Sequence, residues 1–164
     1  MSKTYSPIVA TLGFVLSPDR KQTLLVHRNA RKDDPHLGKY NGLGGKMRAD
    51  EDVVGCMRRE IREEAGIECV AITLRGTISW TSFGKNGEDW LGFIFRIDRF
   101  SGTPFADNKE GTLSWQPVEL LHTLPMWPGD RYFLPLVFDD DPTVFHGWMP
   151  YRHGQPVSWH FERL

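Results

Sequence analysis

The chain opens with two apolar runs that contain many β-branched residues. The first run is Ile8–Leu16, and the second is Thr23–His27. Between them lies Ser17-Pro18-Asp19-Arg20, a combination typical of a tight turn. The pattern therefore predicts two opening strands joined by a turn.

A helical pattern follows a polar loop at Asn29–Lys39 and a glycine-rich bend at Asn41–Lys46. Apolar residues at helical spacing then share one face: Val53, Val54, Met57, Ile61 and Ala65. Asp50 can cap the start, and Gly66 can end the helix in the left-handed conformation. We predict a helix over residues 51–65.

Beyond this helix, β-rich runs dominate. Val70–Trp80 and Trp90–Asp98 predict a long hairpin joined by the polar loop Thr81–Asp89. In the last part of the chain, we predict a strand at Thr112–Gln116 and a second helix at Trp127–Phe138. Pro128 is tolerated in the first turn of this helix, whereas Pro135 lies inside it. A closing pair of strands is predicted at Thr143–Met149 and Val157–Phe161.

Mixed strands with two helices separated in sequence predict an α+β fold. The chain has 164 residues, enough for one domain with a sizeable core and too few for two ordinary ones. We therefore expect a single domain over residues 1–164.

Charge and composition narrow the classes of function. Lys and Arg total 20 against 21 Asp and Glu, so long nucleic acids are not expected partners. No apolar run approaches a membrane span, and the N-terminus lacks a small-residue cleavage site, which predicts a soluble cytoplasmic protein without a membrane partner. Cys56 and Cys69 lack metal-ligand spacing, which fits reduced thiols.

The predicted first helix concentrates carboxylates. At about 100° per residue, Glu60, Glu63 and Glu64 share an arc about 100° wide, and Glu60 and Glu64 border the apolar face. Like charges at this spacing cost about 0.2–0.5 kcal/mol per pair, whereas clustered oxygen ligands suit a divalent cation. The alternative is a solvated helix held by internal ion pairs.

The complete segment favours the cation. Residues 45–67 match every position of G-x5-E-x7-R-E-U-x-E-E-x-G-U, in which U is a bulky aliphatic residue: Gly45, Glu51, Arg59, Glu60, Ile61, Glu63, Glu64, Gly66 and Ile67. This pattern resembles the signature of the Nudix hydrolases. The resemblance implies a mixed β-sheet sandwiched between α-helices, with the signature forming a loop–helix–loop unit.

The resemblance also implies a site for Mg²⁺, with Mn²⁺ as an alternative. Glu60 and Glu64 would be ligands with the Gly44 carbonyl, since glycine lets backbone approach an ion. Glu63 would bind metal or activate water, and Arg59 would orient the acids. Glu51 points away from the other acids and is expected at the helix start, where it can pair with Arg59. From a later loop we prefer Glu110 to Asp107 as the further acid, and Lys46 could neutralise phosphate.

Local similarity extends to the MutT-like subgroup, which includes hydrolases of oxidised purine nucleoside triphosphates. It covers Asn41–Lys46, Gly102–Pro104, Met126–Asp130 and Phe145–Trp148. By this resemblance the base-binding residues are Asn41, Trp127 and Asp130, with Thr11 and Trp80 as weaker candidates. The subgroup has two adjacent acids after W-P, and Gly129 replaces the first of them. The loop Arg31–Gly38 is also longer.

The sequence thus predicts a pyrophosphohydrolase that converts a nucleoside triphosphate, such as 8-oxo-dGTP, to monophosphate and pyrophosphate. The alternatives are hydrolysis of a dinucleotide or nucleotide sugar, or nucleotide sensing without hydrolysis. The partner is expected to be a small nucleotide, and the protein a monomer or homodimer. The remaining tryptophans Trp90, Trp115 and Trp159 are expected in packing, and none of the histidines receives a role: His27, His36, His122, His146, His153 and His160.

Overall fold

A computed structural model describes residues 2–164. Its strands are β1 (Ile8–Leu16), β2 (Gln22–His27), β3 (Tyr40–Asn41), β4 (Leu43–Lys46), β5 (Glu68–Thr81), β6 (Trp90–Ser101), β7 (Asp107–Asn108), β8 (Gly111–Pro117), β9 (Phe145–Arg152), β10 (Gln155–Pro156) and β11 (His160–Arg163). Its helices are α1 (Val53–Ala65), a 3₁₀ helix (Val118–Thr123) and α2 (Asp130–Phe138). None of the helices in the described residues is both long and apolar enough to cross a membrane.

The strands form one mixed sheet in the order β10-β9-β5-β6-β1-β2-β8-β7. Two pairs are parallel, β1 with β6 and β5 with β9, and the other pairs are antiparallel. β1 also pairs with β4, from Ala10 opposite Lys46 to Gly13 opposite Leu43. This last pairing carries the glycine-rich bend into the middle of the molecule.

The sheet has a hydrophobic core on each face. Adjacent residues of β1 point to opposite sides, so Val15 joins the core under α1, whereas Phe14 joins the core under α2. Met57 and Ile61 fill the first core, and Phe133 fills the second. All five side chains are at least 99% buried. The predicted α+β fold, with a mixed sheet between helices, is confirmed.

Helix α1 begins later than predicted. Asp52, not Asp50, is the N-cap, and its carboxylate accepts the Gly55 N–H at 2.7 Å. The cap needs an extended backbone and a donor three residues ahead, and Asp52 meets both requirements. Gly66 ends the helix at φ 71°, as predicted.

Helix α2 also begins later than predicted, at Asp130 instead of Trp127, so Pro128 precedes the helix. Pro135 lies inside it. Its C-terminal end is held by the buried Arg75, which donates to the carbonyl oxygens of Val137 at 3.0 Å and Leu136 at 3.2 Å. These bonds satisfy backbone acceptors that a helix end leaves open, and they attach α2 to β5.

The predicted hairpin and both opening strands are confirmed, but several short elements were not predicted. The bend Asn41–Lys46 contains β3 and β4, and the 3₁₀ helix lies between β8 and α2. The closing strands begin later, at Phe145 and His160. Strands of two to four residues have too few positions for a periodicity and depend on their partners.

We predict that Gly66→Ala destabilises the fold by at least about 2 kcal/mol, because it adds left-handed strain and overpacking. A Cβ at Gly66 would collide with the Phe105 ring. Gly87→Ala is the matched control, since Gly87 has φ 79° with open space around the added carbon. Urea unfolding of both variants measures the difference. Equal losses would show that the Phe105 ring moves aside without cost.

Candidate active site

Two glycines bring the bend against α1. A Cβ at Gly44 would collide with the Thr11 carbonyl oxygen, and a Cβ at Gly45 would lie 2.5 Å from Glu60 Oε1. Real Cβ atoms do not approach so closely, so a larger residue at position 44 would force the bend away from β1, and one at position 45 would displace the Glu60 carboxylate. The glycines thus allow backbone to lie directly beside the carboxylates of α1.

Glu64 carries the largest electrostatic penalty among these carboxylates. Its Oε2 accepts the Gly44 N–H at 3.0 Å. Burial, together with the charges of Glu60 and Glu110, raises its pKa to about 8, although the Gly44 bond and Arg28 oppose the shift. Desolvation and like charges both disfavour the anion. A bound cation would remove this penalty.

Arg59 binds three of the acids. Its guanidinium donates to both carboxylate oxygens of Glu51, at 2.6 and 2.8 Å, and to Glu60 Oε1 at 2.8 Å and Glu63 Oε2 at 3.2 Å. The predicted pairing of Glu51 with Arg59 is confirmed, and it lowers the pKa of Glu51 to about 2. Arg59 starts on the far side of the helix, and its long side chain returns to the acids.

The further acid Glu110 is placed by the turn between β7 and β8. The Asn108 side chain donates to the Glu64 carbonyl oxygen at 3.0 Å and accepts the Glu110 N–H at 2.9 Å. Glu110 forms an ion pair with Arg28 at 3.0 Å. Asn108 therefore ties the turn to the end of α1, a role the sequence analysis did not identify.

The residue types fit a hard divalent cation. The carboxylates of Glu60, Glu64 and Glu110 influence one another electrostatically, Glu63 is half-exposed, and the Gly44 backbone contacts Glu64. Magnesium and manganese prefer such oxygen ligands. Across residues 2–164, no three acidic, histidine or cysteine side chains form a metal-binding group as they stand.

Lys46 lies at the end of β4, beside this cluster. Its side chain is exposed, and its ammonium nitrogen lies 5.5 Å from the centre of the Trp90 ring. The Lys46 carbonyl oxygen accepts a bond from Arg59 at 3.2 Å. The lysine is thus anchored by its backbone and presents an exposed positive charge beside the carboxylates.

The predicted base-binding residues lie towards α2. Trp80 packs against the rings of Phe83 and Phe133, and Phe83 in turn contacts Trp127. Asp130 begins α2, and burial raises its pKa to about 7 against the effect of a bond from the Trp127 backbone. These residues form an aromatic region with one carboxyl group.

Asn41 lies in β3, next to Tyr40, which packs against the core on the α2 face. It pairs with Val26 of β2, and the neighbouring Tyr40 N–H donates to the Pro125 carbonyl oxygen at 2.8 Å. That bond ties β3 to the segment that precedes Trp127. The same short stretch of chain therefore runs from the aromatic region to the glycines beside α1.

Thr11, a weaker base-binding candidate, has its side chain directed towards α1. Its side chain is buried, and its hydroxyl lies 3.3 Å from Cys56 Sγ on α1. Thr11 therefore packs on the α1 face of β1. Residues on a strand alternate between faces, and Thr11 has the same parity as Val15, opposite to Phe14.

Gly129 is also constrained by packing. It has φ −74°, so a side chain would not strain the backbone, but a Cβ would lie 2.5 Å from both Met149 Sδ and the Tyr151 hydroxyl. The buried Tyr151 occupies the space in which a second acid would start. Burial and the charge of Asp130 raise the pKa of Tyr151. An aspartate at position 129 would displace this tyrosine.

An apolar cavity of about 390 Å³ lies between the 3₁₀ helix and α2, away from the carboxylates. Among the predicted site residues only Trp127 lines it. Its lining contains no acidic residue, so it offers no carboxylate to a divalent cation.

Comparisons with known proteins agree with this geometry. Residues 7–137 match the family model described as NUDIX domain. An uncharacterized Nudix hydrolase, YvcI of Bacillus subtilis, is 33% identical over 141 residues, which cover 84% of this chain and 83% of the relative. The oxidized purine nucleoside triphosphate hydrolase of Mus musculus is 31% identical over 136 residues, covering 83% of each. The crystal structure of a MutT protein from Bacillus halodurans superposes with a TM-score of 0.81 at 25% identity, covering 94% of this chain and 97% of that one.

We predict that Glu64→Gln stabilises the metal-free protein increasingly as pH rises. The pKa of Glu64 is about 8 in the folded protein against an ordinary value of 4.5. The wild-type protein therefore loses stability as pH rises from about 4.5 to about 8, because Glu64 ionises more easily in the unfolded chain. The gain should reach about 2–4 kcal/mol at pH 8.

Urea unfolding in EDTA at pH 5, 6.5 and 8 measures this difference. Glu68→Gln is the control, because Glu68 is exposed, bound to Arg62 and has a lowered pKa. It should not gain stability as pH rises. A pH-independent difference between wild type and Glu64→Gln would contradict the proposed electrostatic penalty.

Proposed function

The chain belongs to the Nudix hydrolase family, which acts on pyrophosphate bonds, and we propose that it hydrolyses a purine nucleoside triphosphate to the monophosphate and pyrophosphate with Mg²⁺ or Mn²⁺. One observation carries the proposal: the Glu64 carboxylate is held beside Glu60 and Glu110 at the cost of a raised pKa. A divalent cation would relieve the repulsion within such a cluster and could in turn bind the phosphates of a substrate.

The metal would be held by Glu60, Glu64, Glu110 and the Gly44 carbonyl oxygen, with Glu63 nearby. When bound, such an ion neutralises charge on the phosphates and lowers the pKa of the attacking water. Arg59 fixes Glu60 and Glu63 before substrate arrives, and its bond to Glu51 keeps the guanidinium in place. Lys46 adds a positive charge for the phosphate chain.

Glu63 is the acid that we assign to accept the proton of the attacking water. Its side chain is half-exposed, and its two oxygens lie 3.2 Å from Arg59 and 3.6 Å from Arg48. It is therefore oriented yet accessible to solvent. Glu60 and Glu64 are more enclosed and are better placed as ligands.

The aromatic region towards α2 would bind the base. Trp127 offers a flat surface for stacking, and Asn41 offers an amide for the purine edge. Asp130 has a pKa of about 7 and so exists partly as the neutral acid, which can donate a hydrogen bond to a purine acceptor. The similarity to an oxidized purine nucleoside triphosphate hydrolase supports 8-oxo-dGTP as the substrate.

The second candidate is a Nudix hydrolase of a dinucleotide or nucleotide sugar. The observation that favours it is Gly129, since the missing acid removes one partner for an oxidised base and the site of its side chain is filled by Tyr151. A sensor without hydrolysis is less favoured, because it has no use for the charged cluster at Glu60, Glu63 and Glu64.

We predict that Glu60→Gln and Glu63→Gln each lower kcat/KM at saturating Mg²⁺ by at least about two decades, because each removes a charge needed in the transition state. Glu68→Gln, an exposed change at the first residue of β5, should retain wild-type activity. Steady-state release of pyrophosphate measures all three, and circular dichroism checks the fold. Near-normal kcat in either test variant would remove that glutamate from the site.

We predict that Asp130→Asn changes base preference more than chemistry. The ratio of kcat/KM for 8-oxo-dGTP to that for dGTP should change near pH 7 in wild type, because the neutral acid is lost as pH rises. In the asparagine variant the ratio should be independent of pH, and kcat/KM for 8-oxo-dGTP should fall by about one to two decades. Identical ratios in both proteins at every pH would exclude Asp130 from base reading. The second candidate would then be favoured.

A further inference from the structure

His36 makes a direct contact with Trp127. The Trp127 indole N–H donates to His36 Nδ1 at 2.7 Å. The two rings meet edge to face, with centres 5.1 Å apart and planes at 81°. Because this bond lies at the edge of the indole, it restrains rotation of the ring and does not use a ring face.

Lys39 contacts the same tryptophan from another direction. Its ammonium nitrogen lies 4.8 Å from the centre of the Trp127 ring, over one face. A cation in this position is attracted to the ring. With Lys39 over this face, a base would stack on the opposite face, and the orientation of the ring decides where that face points.

The segment that presents His36 and Lys39 is anchored internally. Arg28 donates to both carboxylate oxygens of Asp34, at 2.8 and 3.2 Å, and Asp34 Oδ1 accepts the His36 N–H at 2.9 Å. Asp34 is only 5% exposed, so this ion pair is largely shielded from water. Backbone bonds from Gly38 N to Arg28 O and from Arg28 N to Lys39 O close the segment.

The contact requires a particular form of the imidazole. Nδ1 can accept the indole N–H only when His36 is neutral and carries its proton on Nε2. Burial and the charge of Arg28 lower the pKa of His36, with Lys39 acting in the same direction and Asp34 and Glu110 opposing. The accepting form therefore predominates at neutral pH.

We propose that His36 is a positioning residue for nucleotide recognition, which fixes the Trp127 ring through its Nδ1 so that the free face is set for stacking before the base arrives. This inference rests on the proposed function, because it assumes that Trp127 binds the base. It assigns to the segment Arg28–Lys39 the role of fixing the orientation of that ring. A ring that is already oriented loses less conformational freedom when the base binds, so the contact should strengthen nucleotide binding and should not change the rate of the chemical step.

Two substitutions at position 36 separate the hydrogen bond from packing. His36→Phe keeps a ring of similar size and removes the acceptor, whereas His36→Asn places an oxygen close to the position of Nδ1. Leu37→Ala is the matched control, since Leu37 lies in the same segment with its side chain 47% exposed. Arg28 is unsuitable for this test because it also contacts Glu110.

The indole N–H of Trp127 reports on the contact without any turnover. In ¹H–¹⁵N spectra of the full chain its signal is assigned with Trp127→Phe. We expect the signal to shift and to exchange faster with water in His36→Phe, to be largely retained in His36→Asn, and to be unchanged in Leu37→Ala. An unshifted signal in His36→Phe would overturn the inference.

Kinetics and binding then test the function of the contact. With 8-oxo-dGTP and Mg²⁺, His36→Phe should raise KM by about tenfold while kcat stays within about twofold, and His36→Asn should recover most of the loss. A fall in kcat at unchanged KM, or an unchanged KM, would overturn the inference. If wild type hydrolyses no nucleoside triphosphate, the proposed function fails. Titration with 8-oxo-dGMP then decides whether the His36–Trp127 contact serves nucleotide binding, and equal affinity in wild type and His36→Phe would reject it.

Discussion

Repulsion among carboxylates at the edge of α1 is the constraint around which the site is built. Glu64 is held half-buried beside Glu60 and Glu110, and its pKa of about 8 records the cost. Arg59 neutralises Glu60 but does not contact Glu64, so one acid keeps an unfavourable charge. The fold accepts this cost because the core residues of the same helix anchor it to the sheet. A site that is strained while empty binds a cation more strongly, since the cation relieves the strain.

The sheet separates the two halves of the site and also connects them. Three of the carboxylates belong to α1, which packs on one face of the sheet, whereas Trp80 and Phe83 pack in the core on the α2 face. The chain from Tyr40 to Lys46 passes between them, bonded to Pro125 at one end and paired with β1 at the other. Phosphates and base can thus be bound by one short segment whose geometry is fixed by its neighbours.

Much of this geometry depends on two arginines, Arg75 and Arg28, whose side chains bind carboxylates or backbone carbonyl oxygens of other segments. Arg75 captures the end of α2, and thereby holds the helix that begins with Asp130. Arg28 ties Asp34 to Glu110 and so lies between the loop near Trp127 and the carboxylate cluster. Arginine suits such positions because its planar group offers several donors in fixed directions. The contacts of Arg75 and the Arg28–Glu110 pair join segments that are distant in sequence.

The sequence by itself determined the helix α1, its acids and the pairing of Glu51 with Arg59, because periodicity and local spacing decide which side chains share a helical face. It also predicted the mixed sheet between helices. The cap at Asp52, the orientation of Thr11 and the filling of the space beside Gly129 were decided by the tertiary structure. The tertiary structure also decided the contact between His36 and Trp127, two residues that are 91 positions apart in the sequence. Such features depend on which residues, distant in sequence, lie close together in the folded chain, and no local sequence pattern specifies these contacts.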